Sequence, residues 1–194
     1  MASLTTQTGK INAVISLKDI NIETIENDIL KSLKVWCENN CQLFAFILHD
    51  KDILEDGEKK TNHIHLVALM KTNRKRLSTI LGDLASFVGL NTFAISIDRM
   101  SDIVGSLQYL IHKNNADKFK YELSSVITNI STGEMATYMS SDSKSMSIEY
   151  LIGVVETNRS KIDIMRIVGL TYYHLYRHVI NDIYNEIYNQ SYIK

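Results

Sequence analysis

Leu48-His49-Asp50-Lys51-Asp52 and Asn62-His63-Ile64-His65-Leu66 are the two stretches on which the reading of this chain turns. His63 and His65 alternate within an apolar run that reads as a buried strand, so both imidazoles leave the same face. His49 closes the preceding apolar run, Leu43 to Leu48, and Asp52 follows three residues later. Between the two stretches, Asp56-Gly57 is a strong hairpin-turn dipeptide. Folding back about that turn brings His49 opposite His63 or its immediate neighbours. Three imidazoles and a carboxylate then converge near one sheet edge. A His-x-His pattern alone is more often a pair of satisfied core histidines than a ligand pair. The hairpin reverses that preference, because burying several imidazoles without ligands is costly. His49, Asp52, His63 and His65 therefore form a candidate divalent-metal site.

Downstream, Ser106-Leu107-Gln108-Tyr109-Leu110-Ile111-His112-Lys113 lies in a segment whose apolar residues Ile103, Val104, Leu107, Leu110 and Ile111 recur at helical spacing. At about 100° per residue they fill one arc, and Tyr109 points roughly 160° from its centre. A helical tyrosine is ordinarily a packed ring. Off the buried stripe, with Lys113 one turn later on the same side, Tyr109 is instead a candidate nucleophile with a cation beside it.

Taken in order, His49-x-x-Asp52, His63-Ile64-His65 and Tyr109-Leu110-Ile111-His112-Lys113 resemble the HUH endonucleases, and among them the RepB-type initiators of rolling-circle plasmid replication. The resemblance covers about Lys10 to Asn129. It implies an α+β fold, a ferredoxin-like or RRM-like antiparallel sheet with packed helices whose central strand presents the histidines to the tyrosine helix. It also implies that His49, Asp52, His63 and His65 bind the metal and that Tyr109 attacks DNA. Lys113 stands where two-tyrosine relatives carry a second tyrosine, so the chain resembles the one-tyrosine enzymes. The implied activity is binding of a plasmid double-strand origin and nicking of one strand, leaving a 5′-phosphotyrosine link and a free 3′-hydroxyl primer. Mixed imidazole and carboxylate ligands suit Mn²⁺ and tolerate Mg²⁺, whereas a closed structural zinc site would show thiolates. Three other readings compete: a different HUH nuclease (transposase or relaxase), a non-catalytic module for single-stranded nucleic acid, and hydrolysis by metal-activated water.

The net charge of −1 argues against a generally basic nucleic-acid binder. Residues 1–122 carry 15 basic and 15 acidic side chains, so DNA affinity has to come from local clusters. Lys71, Arg74, Lys75 and Arg76 follow the histidine strand, and His112, Lys113, Lys118 and Lys120 follow the tyrosine. Both groups are expected to flank the site and bind phosphates. No Gly-x-x-x-x-Gly-Lys-Ser/Thr loop is present, so a host helicase is the expected partner for unwinding. No apolar run approaches a membrane span, and the first residues lack a signal sequence, which makes the cytoplasm the default location. Cys37 and Cys41 read as reduced packing residues.

Strands are expected over Lys10 to Leu17, Leu43 to His49, His63 to Met70 and Thr92 to Asp98. Helices are expected over Ile22 to Cys37, Lys75 to Val88 and Asp102 to His112. Polar, serine-rich sequence places a linker at 131–146, between an origin-binding and nicking domain at 1–130 and a small all-helical domain at 147–194. In that tail, Ser160-x-x-Asp163 resembles a capping box. The helix–glycine–helix pattern about Gly169, with Tyr172, Tyr173, Tyr176 and Arg177 on the second helix, reads as a helix-turn-helix or as an oligomerisation bundle. The expected assembly is a homo-oligomer.

Overall fold

A computed structural model describes residues 5, 7–54, 56–72, 75–140, 148–157, 160–168 and 170–189. They divide into two compact units, Met1–Ser143 and Lys144–Lys194. In the first unit the strands are β1 (Gln7–Thr8), β2 (Lys10–Ser16), β3 (Cys41–His49), β4 (His63–Met70), β5 (Lys75–Arg76), β6 (Ile95–Arg99) and β7 (Ile127–Thr128). Its helices are α1, wound in three successive stretches (Ile22–Thr24, the π-wound Ile25–Ile29, and Leu30–Asn40), then α2 (Leu77–Val88), α3 (Ile103–Leu110) and α4 (Thr132–Ser140). The second unit holds α5 (Ile148–Thr157), α6 (Lys161–Val168) and α7 (Leu170–Asn189).

Five strands form one antiparallel sheet in the order β6-β2-β4-β3-β7. The architecture is α+β, with an all-helical C-terminal region, as the sequence predicts. Period-two alternation gives the sheet two distinct faces. Ile11, Ala13 and Ile15 of β2, Phe44 and Phe46 of β3, and Ile64, Leu66, Ala68 and Met70 of β4 share one face. Their cluster includes Ile25, Ile29, Leu33 and Trp36 of α1 and Leu77, Ile80 and Leu84 of α2. The opposite face carries His63 and His65, and α3 packs there against β4 and β3.

Local chemistry sets the ends of these elements. Asn21 caps α1, its side chain accepting from the Thr24 N–H at 2.8 Å. Gly89, at φ +71°, closes α2 in the left-handed conformation that glycine tolerates best. Asp102 caps α3 with both carboxylate oxygens, each 3.0 Å from a backbone nitrogen, Val104 and Gly105.

Four expectations are corrected. The cluster does not lie near a sheet edge: His63 and His65 are on the central strand β4, as the resemblance implies, and His49 is on β3 beside it. The tyrosine helix ends at Leu110 rather than His112, since His112 adopts φ +55° and turns the chain. Residues 92–94 form a 3₁₀ turn capped by Asn91, and the strand begins only at Ile95. Within the span read as linker, α4 forms a regular helix with Met135 and Tyr138 buried, and Gln108 of α3 donates to the Tyr138 carbonyl at 2.8 Å. Tertiary packing outweighs polar composition there. Residues 141–147 and Gly169 lie outside the described residues, as do the side chains of Tyr172, Tyr173, Tyr176 and Arg177. No helix of the described residues is long and apolar enough to cross a membrane.

Candidate metal centre and tyrosine site

The β3–β4 ladder sets His49 directly opposite His63 and Ile47 opposite His65. The chain between the strands is itself a narrow hairpin. The Lys60 N–H donates to the Asp52 carbonyl at 2.9 Å, the Leu54 N–H to Glu58 at 2.8 Å, and Gly57 turns the tip at φ +86°. That hairpin holds Asp52 beneath the two histidines. One Asp52 oxygen lies 3.4 Å from His49 Nδ1 and 3.7 Å from His63 Nε2, and the other lies 3.6 Å from His112 Nδ1.

Main-chain carbonyls fix the tautomer of three rings. His49 Nε2 donates to Leu110 at 2.7 Å, His63 Nδ1 to Thr61 at 2.8 Å, and His112 Nδ1 to Phe119 at 2.9 Å. Each ring then presents a lone pair on its other nitrogen. Those nitrogens, His49 Nδ1, His63 Nε2 and His112 Nε2, are buried and have no hydrogen-bond partner among the described residues. Buried polar atoms are ordinarily satisfied. Burial, reinforced by neighbouring imidazoles, holds His49 down at about 4 and His65 at about 2; burial likewise lowers His63 and His112. Neutral rings with unpartnered, buried lone pairs beside a carboxylate have the donor set of a divalent cation site. One donor atom each from His49, His63 and His65 lies within 4.8 Å of the others, and the same holds for His49, Asp52 and His112.

Tyr109 stands at the margin of this cluster. Its ring centroid is 5.2 Å from that of His65 and 5.2 Å from that of His112. A groove of about 380 Å³ between α3 and strands β2 and β6 opens onto both Tyr109 and His65. Asn12, Ser96, Asp98 and Ser106 line it, with no lysine or arginine among the described residues.

The cation beside the phenol is not the expected one. Lys118 Nζ donates to the Tyr109 hydroxyl at 2.7 Å and sits 4.8 Å above its ring. The Lys113 ammonium is bonded to the Met139 carbonyl, because α3 ends before that residue. Lys120 Nζ binds the carbonyls of His112, Lys113 and Asn115, which folds the 112–120 loop on itself.

The first basic cluster is also placed differently from expectation. Lys71 follows the far end of β4, about 26 Å from His63 at about 3.3 Å per residue. Its ammonium binds the Glu38 and Asn39 carbonyls at the end of α1. Lys75 pairs with Asp83 at 3.3 Å, Arg76 is exposed, and Arg74 lies outside the described residues. Lys71, Lys75 and Arg76 do not flank the histidines; they mark the opposite end of the sheet.

Sequence reasoning passed over two residues of the site. His112, read as a phosphate-binding cation, is fully buried beside His49, with ring centroids 4.3 Å apart. Tyr121, which lies beyond the tyrosine helix in sequence, stacks on His49 at 4.4 Å. Its hydroxyl accepts from the Lys51 N–H at 2.8 Å and reaches Asp52 at 3.4 Å. Burial pushes the Tyr121 phenol up to about 12, so it holds its proton toward Asp52. Only the His112 spacing, three residues after Tyr109, was a usable signal; nothing local to Tyr121 marks it.

Residues 19–133 match the family described as plasmid replication protein, origin binding domain. The chain is also 35% identical over 86 residues to the replication protein RepB of Lactiplantibacillus plantarum. That alignment takes in 42% of this chain and 34% of RepB, so the match spans about a third of that relative's length.

Proposed function

The chain belongs to the plasmid replication proteins, in the family of their origin-binding domain, and from that premise we propose that it is a rolling-circle replication initiator, a one-tyrosine HUH endonuclease that nicks one strand of its plasmid origin. The observation that carries the reading is the Tyr109 hydroxyl, held by the Lys118 ammonium at 2.7 Å beside a buried cluster of histidines and a carboxylate.

His49 and His63 would hold the ion through their unpartnered nitrogens, with Asp52 and His65 completing the set. Bound there, a divalent ion, Mn²⁺ by donor chemistry with Mg²⁺ tolerated, supplies Lewis-acid polarisation of the scissile phosphate. The Tyr109 oxygen attacks phosphorus while the bond to the 3′-oxygen breaks. The phenolic proton is lost as the leaving oxygen gains one, so the products are a 5′-phosphotyrosine ester and a 3′-hydroxyl primer. One phosphoester replaces another, which leaves rejoining feasible without a nucleotide cofactor. The Lys118 ammonium is the counter-charge at the reacting oxygen.

The groove beside Tyr109 combines apolar Val14, Leu66 and Val67 with polar Asn12, Ser96 and Ser106 and the carboxylate of Asp98, a lining that suits bases better than phosphates. Duplex origin DNA engages the basic end of the sheet around Arg76. The C-terminal helices assemble subunits, with a helix-turn-helix role compatible, and a host helicase unwinds the nicked duplex. The reading is tested by incubating the protein with Mn²⁺ and a labelled single-stranded origin. A covalent adduct on a denaturing gel, lost with EDTA and with the paired His63→Ala and His65→Ala changes, is the expected result. A folded protein giving neither adduct nor nick would overturn it.

A further inference from the structure

We propose that His112, the residue that turns the chain after the nucleophile helix, is a further ligand of the same ion, so that the ion ties the end of α3 to the sheet; the inference rests on the metal-site reading above. Three observations carry it. His112 is fully buried, its Nδ1–H is engaged by the Phe119 carbonyl at 2.9 Å, and the remaining lone pair on Nε2 meets no donor among the described residues. The loop is built to hold the ring there: the Lys120 ammonium gathers the His112, Lys113 and Asn115 carbonyls, and the backbone at His112 accepts φ +55°, an uncommon conformation for a residue with a Cβ. Finally, the ring stands within the cluster: its centroid is 4.3 Å from that of His49, and its Nδ1 is 3.6 Å from an Asp52 oxygen. One of its nitrogens lies within 4.8 Å of ligand atoms of His49 and Asp52, so a small rotation of the ring brings Nε2 within the span of one ion with ligands about 2.1 Å away.

The two overlapping donor groups are one site. His49 belongs to both, yet its Nε2 donates to the Leu110 carbonyl, which leaves a single lone pair on Nδ1. One lone pair serves one ion. The Leu110 carbonyl and the His112 ring both come from the end of α3, one residue after Tyr109 and three residues after it. An ion held by His49 and His112 therefore anchors the turn that aims the nucleophile. His112 is in this account a ligand and, toward Tyr109, a positioning residue.

The test uses the full-length protein labelled with ¹⁵N-histidine, with its imidazole nitrogens followed as Zn²⁺ is added as a diamagnetic probe. His174 and His178 of the C-terminal unit serve as references. The expected result is that a ring nitrogen of His112 shifts together with His49 Nδ1 and His63 Nε2, saturating at one equivalent. In parallel, His112→Asn, which tolerates a left-handed backbone, is expected to weaken Mn²⁺ binding at least tenfold, read from free Mn²⁺ by electron paramagnetic resonance. Shifts at His49, His63 and His65 with none at His112, or Mn²⁺ affinity within twofold in folded His112→Asn, would overturn the inference alone. No shift at any imidazole of the first unit would overturn it together with the metal-site reading. Should His112→Asn not fold, the spectra of the unsubstituted protein still decide.

Discussion

The Lys118 ammonium donates to the Tyr109 hydroxyl at 2.7 Å across a loop that leaves the helix and returns, whereas Lys113, one turn beyond Tyr109 in sequence, is bonded to the Met139 carbonyl. The two lysines therefore separate cleanly in a nicking assay. Lys118→Met is expected to slow single-turnover nicking about a hundredfold, the scale of losing one preorganised donor at a reacting oxygen, with little change in metal affinity. Lys113→Met is expected to leave the chemical step within a few fold. Equal losses in the two variants would contradict the assignment of roles.

Tyr121→Phe removes the hydroxyl that accepts from Lys51 N–H and reaches Asp52, and keeps the ring stacked on His49. Loss of one hydrogen-bond partner is expected to cost about 1 kcal/mol of stability. Loosening of Asp52 is expected to weaken Mn²⁺ binding about tenfold, as the removal of a ligand's supporting partner does. Adduct formation should persist at saturating metal. Mn²⁺ titration and thermal unfolding of the variant check both numbers.

Acid should destabilise the metal-free protein before its carboxylates titrate. Burial lowers all four site histidines, His49 to about 4. The unfolded chain therefore binds more protons than the folded one, and stability rises with pH. This contribution is complete above about 6.5, the ordinary histidine value, and is lost as pH falls from there through about 4 for His49 and on toward about 2 for His65. In EDTA, Tm is expected to fall between pH 7 and pH 5, and to fall less in the paired His63→Ala and His65→Ala protein. A flat Tm over that window would count against the buried neutral cluster.

The division of the chain makes a separate forecast. A chain ending at Ser143 retains the whole first unit, including α4, whose Tyr138 and Met139 carbonyls are bonded to Gln108 and Lys113. Such a protein is expected to cleave single-stranded substrate at the full-length rate and to sediment as a monomer. An unchanged subunit number would place assembly in the first unit instead.

The sheet was legible in the sequence where local periodicity and turn chemistry agree. Alternation in Lys10 to Ser16 and His63 to Met70, with Asp56-Gly57 between the histidine blocks, is enough to place His49 across from His63. The helical spacing of Ile103, Val104 and Leu107 likewise puts them in the core and leaves Tyr109 only partly buried. What was not legible depends on the irregular segment between Ile111 and Tyr121. Its path is set by a left-handed His112, by Lys120 on three carbonyls and by a ring bonded to Phe119, none of which leaves a periodic trace. That segment brings in His112, Lys118 and Tyr121. The placement of Lys71, Lys75 and Arg76 was not legible for a geometric reason: adjacency in sequence to a histidine strand says nothing about which end of the strand a residue occupies.

The central claim, that Tyr109 is the nucleophile, is tested most directly by locating the DNA on the protein. Protein trapped on a labelled single-stranded origin with Mn²⁺ is digested with trypsin and nuclease, and the nucleotide-bearing peptide is sequenced by mass spectrometry. The account expects the modification on the peptide spanning residues 100–113, whose single tyrosine is Tyr109, and expects Tyr109→Phe to bind DNA and Mn²⁺ yet form neither adduct nor nick. A nucleotide on Tyr121 or on a tyrosine of the C-terminal unit, or full nicking by Tyr109→Phe, would contradict it.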